Sequence, residues 1–166
     1  MAEEKREPAA RLLREKLRCV CVECRKSKPL LGKDRRQVVN VTGPSCEVCG
    51  GRSVTRALLL VEKTLPGSGI HRILVVGGSP PIYDELRRGL TSPEIELQLI
   101  DSVQNANRAT ALAEWADVIV IWGSSILAHK TSASFQKPEY KWKTVTLTRR
   151  GIEALSQELL KHAAQR

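Results

Sequence analysis

The chain has 166 residues, of which 42% are hydrophobic and 27% charged, a composition typical of one globular domain or of a small module joined to a compact one. No apolar run approaches the ~18 residues that a membrane helix needs, and the start of the chain mixes acids with bases around no apolar signal core. We therefore expect a cytoplasmic protein, in which clustered cysteines favour metal binding over disulfides.

The net charge of +9 is concentrated at the start of the chain. Residues 1–52 hold 13 Lys/Arg against 7 Asp/Glu, whereas residues 53–166 hold 14 against 11. All five cysteines lie in the same first segment. This asymmetry predicts a polyanionic partner, although a merely solvated basic surface has the same composition.

The sequence pattern of residues 1–18 predicts a basic amphipathic helix. Pro8 suits a first helical position, and Leu13 and Leu17 are spaced by four residues with Leu12 beside them. Arginine and lysine cover much of the remaining surface. The pattern favours packing against the body or against a protein partner, with phosphate contacts as the alternative.

Residues 19–52 predict a zinc ribbon. Two C-x-x-C pairs are separated by 21 residues, and their four thiolates would close a tetrahedral shell with no open position, so the Zn²⁺ would be structural. The segment "RRQVVNVTGPS" predicts a short strand that ends at Gly-Pro, and the "GG" after the second pair suits positive φ and a close approach of the backbone. The predicted metal ligands are Cys21, Cys24, Cys46 and Cys49.

Cys19 is the fifth cysteine. It alternates with Cys21 through Val20, so on an extended strand both side chains would point to the same face, and Cys19 could replace Cys21 as a ligand. The C-x-x-C spacing favours Cys21. A redox C-x-x-C is the other interpretation, but such a pair usually stands alone.

The cations between the cysteine pairs predict contacts to a nucleic-acid backbone. Within 17–36 there are seven Lys/Arg against two Asp/Glu. No aromatic residue is interleaved for base stacking, so the pattern supports phosphate contacts and not sequence-specific readout. The candidate nucleic-acid-binding residues are Arg25, Lys26, Lys28, Lys33, Arg35 and Arg36.

Residues 53–166 predict a small Rossmann-like α/β domain. A helix at 53–65 precedes four short apolar strands that alternate with helices, and helical crossovers imply parallel pairing. We predict a doubly wound sheet with strand order 2-1-3-4. The predicted strands are "HRILVV", "IELQLID", "DVIVIW" and "KTVTLT", and the predicted helices between and after them are "IYDELRRGL", "NRATALAEWA" and "GIEALSQELLKHAA".

In such a sheet, ligands bind at the carboxyl ends of the strands where the strand order reverses. The loops "GGSPP" and "GSSILAHK" arrive there, but neither contains a dinucleotide or nucleoside-triphosphate fingerprint. The candidate residues for a nucleotide or phosphate are Gly77, Gly78, Ser79, Asp101, Ser124, Ser125, His129 and Lys130, with Ser132 nearby.

Each of these candidates has an alternative. Gly77 and Gly78 either present backbone N–H groups to an anion or simply make the turn, and Asp101 is either a ribose ligand or a helix cap. His129 and Lys130 are the candidates for acid–base work, although a single histidine is more often an ordinary surface residue.

The stretches "ILVVGGSPPIYDELRRGL", "WADVIVIWGSSILAHKTS" and "RRGIEAL" resemble the bacterial Rossmann-like family catalogued as domain of unknown function 2325. The family features fall on Val76-Gly77-Gly78, on Ala116-Asp117 and on His129 with its neighbouring hydroxyl residues. The likeness covers roughly residues 70–160, and this chain differs by Lys-Thr-Ser after the histidine and by the cysteine module in front. The resemblance implies the fold and no particular reaction.

Three functions fit these patterns. We favour a non-enzymatic, zinc-binding adaptor that associates with nucleic acid, with a second domain that binds a nucleotide or phosphate. The first alternative is an enzyme or sensor that acts on a nucleotide or phosphodiester near His129, and the second is a structural subunit that docks on a larger protein complex. A two-metal nuclease is not evident, because only Asp101 is well placed as a carboxylate ligand.

Overall fold

The computed structural model describes residues 6–101, 106–122 and 133–166, with side chains from Ala10 onward in the first range and from Asn107 in the second. The chain divides into two compact units, which we call the cysteine unit, Met1–Arg56, and the α/β unit, Ala57–Arg166. The boundary falls after Arg56, whereas the change of sequence pattern lies at 52/53.

The described residues of the cysteine unit before Ser53 form three helices and two strands. Helix α1 covers Arg6–Lys16, and the predicted helix therefore ends before Leu17, where strand β1 (Leu17–Val20) begins. Two short helices that the sequence does not predict, α2 (Val22–Lys26) and α3 (Lys28–Leu31), lead to strand β2, Gln37–Asn40. A 3₁₀ turn, Gly43–Ser45, precedes the second cysteine pair.

Strands β1 and β2 are parallel, with Leu17 opposite Gln37 and Val20 opposite Asn40. Parallel neighbours need a crossover instead of a hairpin, and α2 and α3 form it. The crossover occupies residues 22–36, and it contains all six of the candidate nucleic-acid-binding residues.

The α/β unit has the predicted parallel sheet. Its strands are β3 (Arg72–Val76), β4 (Glu96–Ile100), β5 (Val118–Trp122) and β6 (Thr144–Leu147). They lie in the order β4-β3-β5-β6, which is second, first, third and fourth along the chain within this sheet. All three pairings are parallel.

The four helices predicted for this part of the chain are all found, with ends within two residues of the predicted ones. They are α4 (Ser53–Thr64, which begins in the cysteine unit), α5 (Pro80–Gly89), α6 (Ala106–Trp115) and α7 (Ile152–Ala164). No helix among the described residues has the length and apolarity that crossing a membrane requires.

Both faces of the sheet are covered, as the unbroken apolar strands predict. On one face, the alanines of α6 pack with Phe135 and Tyr140 against Leu74, Val76 and Ile121. The alternate residues of β3 and β5, such as Ile73 and Val120, point to the other face and are fully buried as well.

Helices α4 and α5 approach closely. A Cβ atom at Gly89 would lie 2.2 Å from Leu58 Cδ1, so only glycine fits there without movement. Nearby, the buried carboxylate of Glu62 accepts hydrogen bonds from the N–H groups of Thr91 and Ser92. These contacts tie α4 to the end of α5 and to the loop that enters β4.

Asp117 joins the amino-terminal ends of β3 and β5. Its Oδ2 accepts hydrogen bonds from the backbone N–H groups of His71 (2.9 Å) and Arg72 (2.8 Å), and its Oδ1 lies 2.8 Å from Nη2 of Arg72. Burial acts to raise the pKa of Asp117, but these hydrogen bonds outweigh it and lower the pKa below its usual value. The Ala-Asp motif thus stabilises the sheet at the edge opposite the predicted crevice.

We expect Asp117→Ala to lower the free energy of unfolding by about 2 kcal/mol at pH 7, because three charge-assisted hydrogen bonds are lost. Chemical denaturation measures the change, and Asp84→Ala, which removes an exposed carboxylate of α5, is the control. Because the pKa of Asp117 is lowered in the folded state, its contribution is complete above its unfolded pKa of about 3.9 and is lost as the pH falls through the lower folded value. An unchanged difference between wild type and Asp117→Ala at pH 2 and pH 7 would contradict this assignment.

Candidate metal centre and basic crossover

The four predicted cysteines come together. Their Sγ atoms all lie within 4.8 Å of one another, and Sγ of Cys21 is 3.8 Å from Sγ of Cys49. A tetrahedral zinc with Zn–S bonds of about 2.3 Å requires S···S distances of about 3.8 Å, whereas a disulfide requires about 2.05 Å. All five cysteines are free thiols, so this cluster can hold a metal ion.

The two C-x-x-C segments share one backbone pattern. In each pair, the residue four positions after the first cysteine donates its N–H to that cysteine's carbonyl at 2.9 Å, from Arg25 in one case and Gly50 in the other. The residue three positions after the second cysteine, Ser27 or Arg52, donates to the second carbonyl. Two equivalent knuckles therefore present two thiols each.

The four thiols differ in the direction in which the protein shifts their pKa values. Burial acts to raise the pKa of Cys46, but N–H groups of Cys21, Cys49 and Val48 outweigh it and lower the pKa to about 6. The N–H of Cys24 lowers the pKa of Cys21, whereas burial raises the pKa of both Cys24 and Cys49. A metal needs thiolates, so its binding would release the protons that these thiols still carry.

Strand β1 holds the two knuckles together. The N–H of Cys21 points to Sγ of Cys46 at 3.3 Å, and the N–H of Glu47 donates to the carbonyl of Cys19 at 2.9 Å. Oε1 of Glu47 accepts the N–H of Cys19 at 2.8 Å. Strand β1 ends at Val20, one residue before Cys21, and Cys19 is not part of the four-thiol cluster.

The glycines after the second pair behave as predicted. Gly50 has φ +55° and Gly51 has φ +77°. A Cβ atom at Gly51 would lie 2.6 Å from the backbone carbonyl carbon of Gly43, whereas one at Gly50 would meet nothing within 4 Å. Gly51 thus permits the close approach that closes the second knuckle.

Arg56 is a residue of this site that the sequence pattern does not reveal. Burial acts to lower its pKa, but the negative charge of Cys49, Cys24 and Cys21 and a hydrogen bond with Cys49 raise it. A tetrathiolate zinc site carries a net charge of −2, and an adjacent guanidinium offsets part of it. Its sequence signal is only its position, one helical turn after Ser53 at the start of α4.

The six candidate nucleic-acid-binding residues differ in how much of their charge is free. The guanidinium of Arg36 is held by Asp34 at 2.7 Å, by Glu47 at 3.0 Å and by the carbonyl of Arg14 at 3.1 Å. The hydrogen bonds from Arg36 lower the pKa of Asp34 to about 2. Arg36 therefore has a structural role that ties the end of α1 to the second knuckle.

Of the other five, Lys26 pairs with Glu23 at 3.6 Å and Arg25 donates to Oδ1 of Asn40 at 3.1 Å. Lys28, Lys33 and Arg35 are exposed, and no described carboxylate lies within ion-pair distance of them. Arg18, which was not among the candidates, pairs with Asp34 at 3.4 Å and donates to carbonyls of α3.

The predicted crevice of the α/β unit is described only in part. Gly77 follows β3 and Asp101 follows β4, and the N–H of Gly77 donates to the carbonyl of Ile100 at 2.7 Å. That N–H is therefore not free for an anion, and Pro80 and Pro81 at the start of α5 supply none. The remaining candidates, Ser124, Ser125, His129 and Lys130, and the neighbouring Ser132, lie outside the described residues.

Tyr83 is a further residue at this edge that the sequence did not single out. Its hydroxyl donates to the carbonyl of Gly77 at 3.0 Å, and its ring lies 3.0 Å from where a Cβ atom of Gly78 would stand. Burial and the charge of Asp101 raise the pKa of Tyr83. Gly78, at φ +120°, is thus required by the turn and by the tyrosine packed on it, while Ser79 and Asp101 are exposed.

Comparison of the chain with protein-family models, with curated proteins and with solved structures finds no match.

We expect one equivalent of tightly bound zinc per chain, retained in Cys19→Ser and lost in Cys24→Ser or Cys49→Ser. Elemental analysis of reduced, gel-filtered protein measures the content, and Cys19 is the matched control because it shares the segment but not the cluster. Zinc loss from Cys19→Ser with retention in Cys49→Ser would overturn the ligand assignment.

We expect Gly51→Ala to destabilise the zinc-bound cysteine unit more than Gly50→Ala does. Gly50→Ala imposes only the left-handed strain of about 1 kcal/mol, whereas Gly51→Ala adds a backbone clash with Gly43. The rate of zinc transfer to a chelator measures the difference. Equal rates in the two variants would show that the second knuckle does not depend on the Gly43–Gly51 approach.

Proposed function

We propose that the cysteine unit is a zinc-stapled module that binds the phosphate backbone of nucleic acid, and that the chain acts as an adaptor and not as an enzyme. The observation that carries the proposal is the crossover of residues 22–36. It is fixed at one end by Cys21 and Cys24, and it presents exposed cations that have no described acidic partner.

The choice of zinc rests on the donor set. Four thiolates whose sulfur atoms lie close enough for tetrahedral coordination favour Zn²⁺ over hard cations such as Mg²⁺ and Ca²⁺, which take oxygen ligands. All four ligands come from the protein, so this ion would have no open position for a substrate. Its role would be structural, because metal binding contributes folding free energy to a unit with a small core.

The choice of nucleic acid rests on charge. Residues 1–56 carry 14 Lys/Arg against 7 Asp/Glu, while residues 57–166 carry 13 against 11. Asp34 and Glu47 are engaged by Arg18 and Arg36, so two carboxylates are neutralised by arginines with structural roles. The exposed surface that remains is dominated by lysine and arginine, which suits phosphates.

The likeness of the α/β unit to the family catalogued as domain of unknown function 2325 is a second proposal. It is supported by the place of the motifs: Val76-Gly77-Gly78 stands at the carboxyl end of β3, and Ala116-Asp117 at the start of β5. The alternative function, an enzyme or sensor at the crevice, gains no support from Gly77, whose N–H is already bonded.

We expect nucleic-acid affinity to fall steeply with salt and to depend on the free cations of the crossover. For duplex DNA, each phosphate contact contributes about −0.9 to the slope of log K against log [salt]. The triple variant Lys28→Gln, Lys33→Gln, Arg35→Gln should therefore weaken binding at low salt and reduce the slope by about 2 to 3. Fluorescence anisotropy with labelled oligonucleotides over a salt series measures both quantities.

The matched control is Lys63→Gln, Arg87→Gln, Arg108→Gln, which removes the same charge from exposed positions of the α/β unit. It should leave the slope almost unchanged. Zinc removal by a chelator should abolish binding, because the crossover loses its anchor. If the two triple variants weaken binding equally, binding depends on the net charge of the chain and not on the crossover. If the wild type does not bind at low salt, the proposal is wrong.

A further inference from the structure

Trp142 is exposed to solvent on a turn whose neighbouring residues are buried. It lies in the 3₁₀ segment Pro138–Lys143 that precedes β6, and 64% of its surface is exposed. The residues on either side of the Lys141-Trp142 pair, Tyr140 and Lys143, are buried at 7% exposure. The hydroxyl of Thr144 donates to the carbonyls of Tyr140 (2.8 Å) and Phe135 (3.2 Å). The exposure of Trp142 is therefore set by the fixed backbone around it.

Two anchored cations lie against the indole ring. Nζ of Lys143 is 5.4 Å from the ring centroid, and the guanidinium carbon of Arg166 is 5.2 Å from it. Each cation is bound to a backbone carbonyl at the start of β5, Lys143 to Ala116 at 2.8 Å and Arg166 to Asp117 at 2.7 Å. The ring is thus oriented by cation–π contacts, yet more than half of it remains uncovered.

The surroundings of the ring are cationic. In the described part of the chain, no carboxylate lies within ion-pair distance of Lys141, Lys143 or Arg166. Of the acids that act on Lys143 or Tyr140, Glu139 pairs with Lys137 at 3.7 Å and Asp117 with Arg72 at 2.8 Å. Glu114 also acts on both residues, but only through its charge at longer range. Lys141 and Arg166 are exposed, whereas Lys143 is buried beneath the ring.

Within the described residues of the α/β unit, no other large hydrophobic side chain is exposed beside Trp142. The other exposed large hydrophobic residues among those described, Leu12, Leu13, Val22 and Val39, all belong to the cysteine unit. A protein or membrane interface would be expected to extend over several apolar residues. A single exposed aromatic ring flanked by cations instead suits a nucleobase with phosphates on either side.

We propose that Trp142, with Lys141 and Arg166, is a contact site for single-stranded nucleic acid. The indole stacks on an unpaired base, and the two exposed cations meet the neighbouring phosphates. A duplex does not offer this stacking, because its bases are already stacked on one another. The inference rests on the proposed nucleic-acid association of the chain and adds a contact in the α/β unit that prefers single strands.

The test uses the full zinc-loaded chain with three probes: a single-stranded oligothymidylate, a DNA duplex of the same length, and inorganic polyphosphate. Trp142→Ala should bind the oligothymidylate about tenfold more weakly, since stacking on an aromatic side chain contributes that much per base. Its affinity for the duplex and for polyphosphate should change by less than about twofold, because neither presents an unpaired base.

Trp142→Phe separates stacking from folding. It keeps an aromatic ring and should bind the oligothymidylate nearly as wild type does. Oligothymidylate should quench the tryptophan fluorescence of the wild type but not that of Trp142→Phe, whose remaining indoles, Trp115 and Trp122, are half-buried and buried. Lys141→Ala should weaken single-strand binding, whereas Lys63→Ala, which changes another exposed lysine, should not.

The outcomes distinguish this inference from the proposed function. If Trp142→Ala leaves oligothymidylate binding unchanged while the triple variant of the crossover abolishes it, the stacking site is wrong and the proposed function stands. An equal loss for all three probes would also overturn it, because the effect would then be one of charge or folding. If the wild type binds none of the probes, both proposals fail.

Discussion

The cysteine unit depends on its four-thiol cluster. Five buried hydrophobic residues lie among its described positions, and three of them are Cys24, Cys46 and Cys49, beside Val20 and Leu30. Two strands of four residues each do not form a stable sheet alone, and so few apolar side chains cannot offset the conformational entropy of ordering the unit. A metal that binds all four sulfurs would join β1, the crossover and the second knuckle in one step. The parallel pairing of β1 and β2 is a consequence, since each strand leads into one knuckle and the knuckles must meet.

Most of the α/β unit could be predicted from its sequence, because its strands are continuous apolar runs and its helices have strong periodicity. "VIVIW" and "RILVV" are short apolar runs rich in β-branched residues, which favours strands of a sheet covered on both faces. The cluster of four cysteines could also be predicted from the sequence, because the C-x-x-C spacing is a local property. The strand within "RRQVVNVTGPS" was predicted and is β2. By contrast, "LRCV" has no alternation that marks it as a strand, and α2 and α3 have five and four residues, too few to show a helical period. These elements depend on tertiary contacts with the cysteine cluster.

The side-chain roles were harder to predict than the elements. Asp117 has the sequence position of an ordinary strand start, but its carboxylate accepts hydrogen bonds from the backbone N–H groups of His71 and Arg72, 46 and 45 residues earlier in the chain. Arg56 is one arginine among many, and only the fold brings it to the thiols. Lys143 is buried and Trp142 exposed, the reverse of what their side chains suggest. In each case the deciding contact is distant in sequence, so no local pattern records it.

The same contacts change how the positive charge should be interpreted. Arg18, Arg36 and Arg72 bind carboxylates or backbone carbonyls, and the buried Lys143 binds the carbonyl of Ala116. A guanidinium that already donates to several acceptors must lose those bonds before it can bind a phosphate, so net charge overstates the number of cations available to a polyanion. The arginines with structural roles instead fix the segments on which free cations stand. Arg36 ties the crossover to α1 and Glu47, and Lys28, Lys33 and Arg35 are displayed as a result. A nucleic-acid interface on this protein is therefore defined by which exposed cations keep N–H groups free of internal acceptors and not by where basic residues are most numerous.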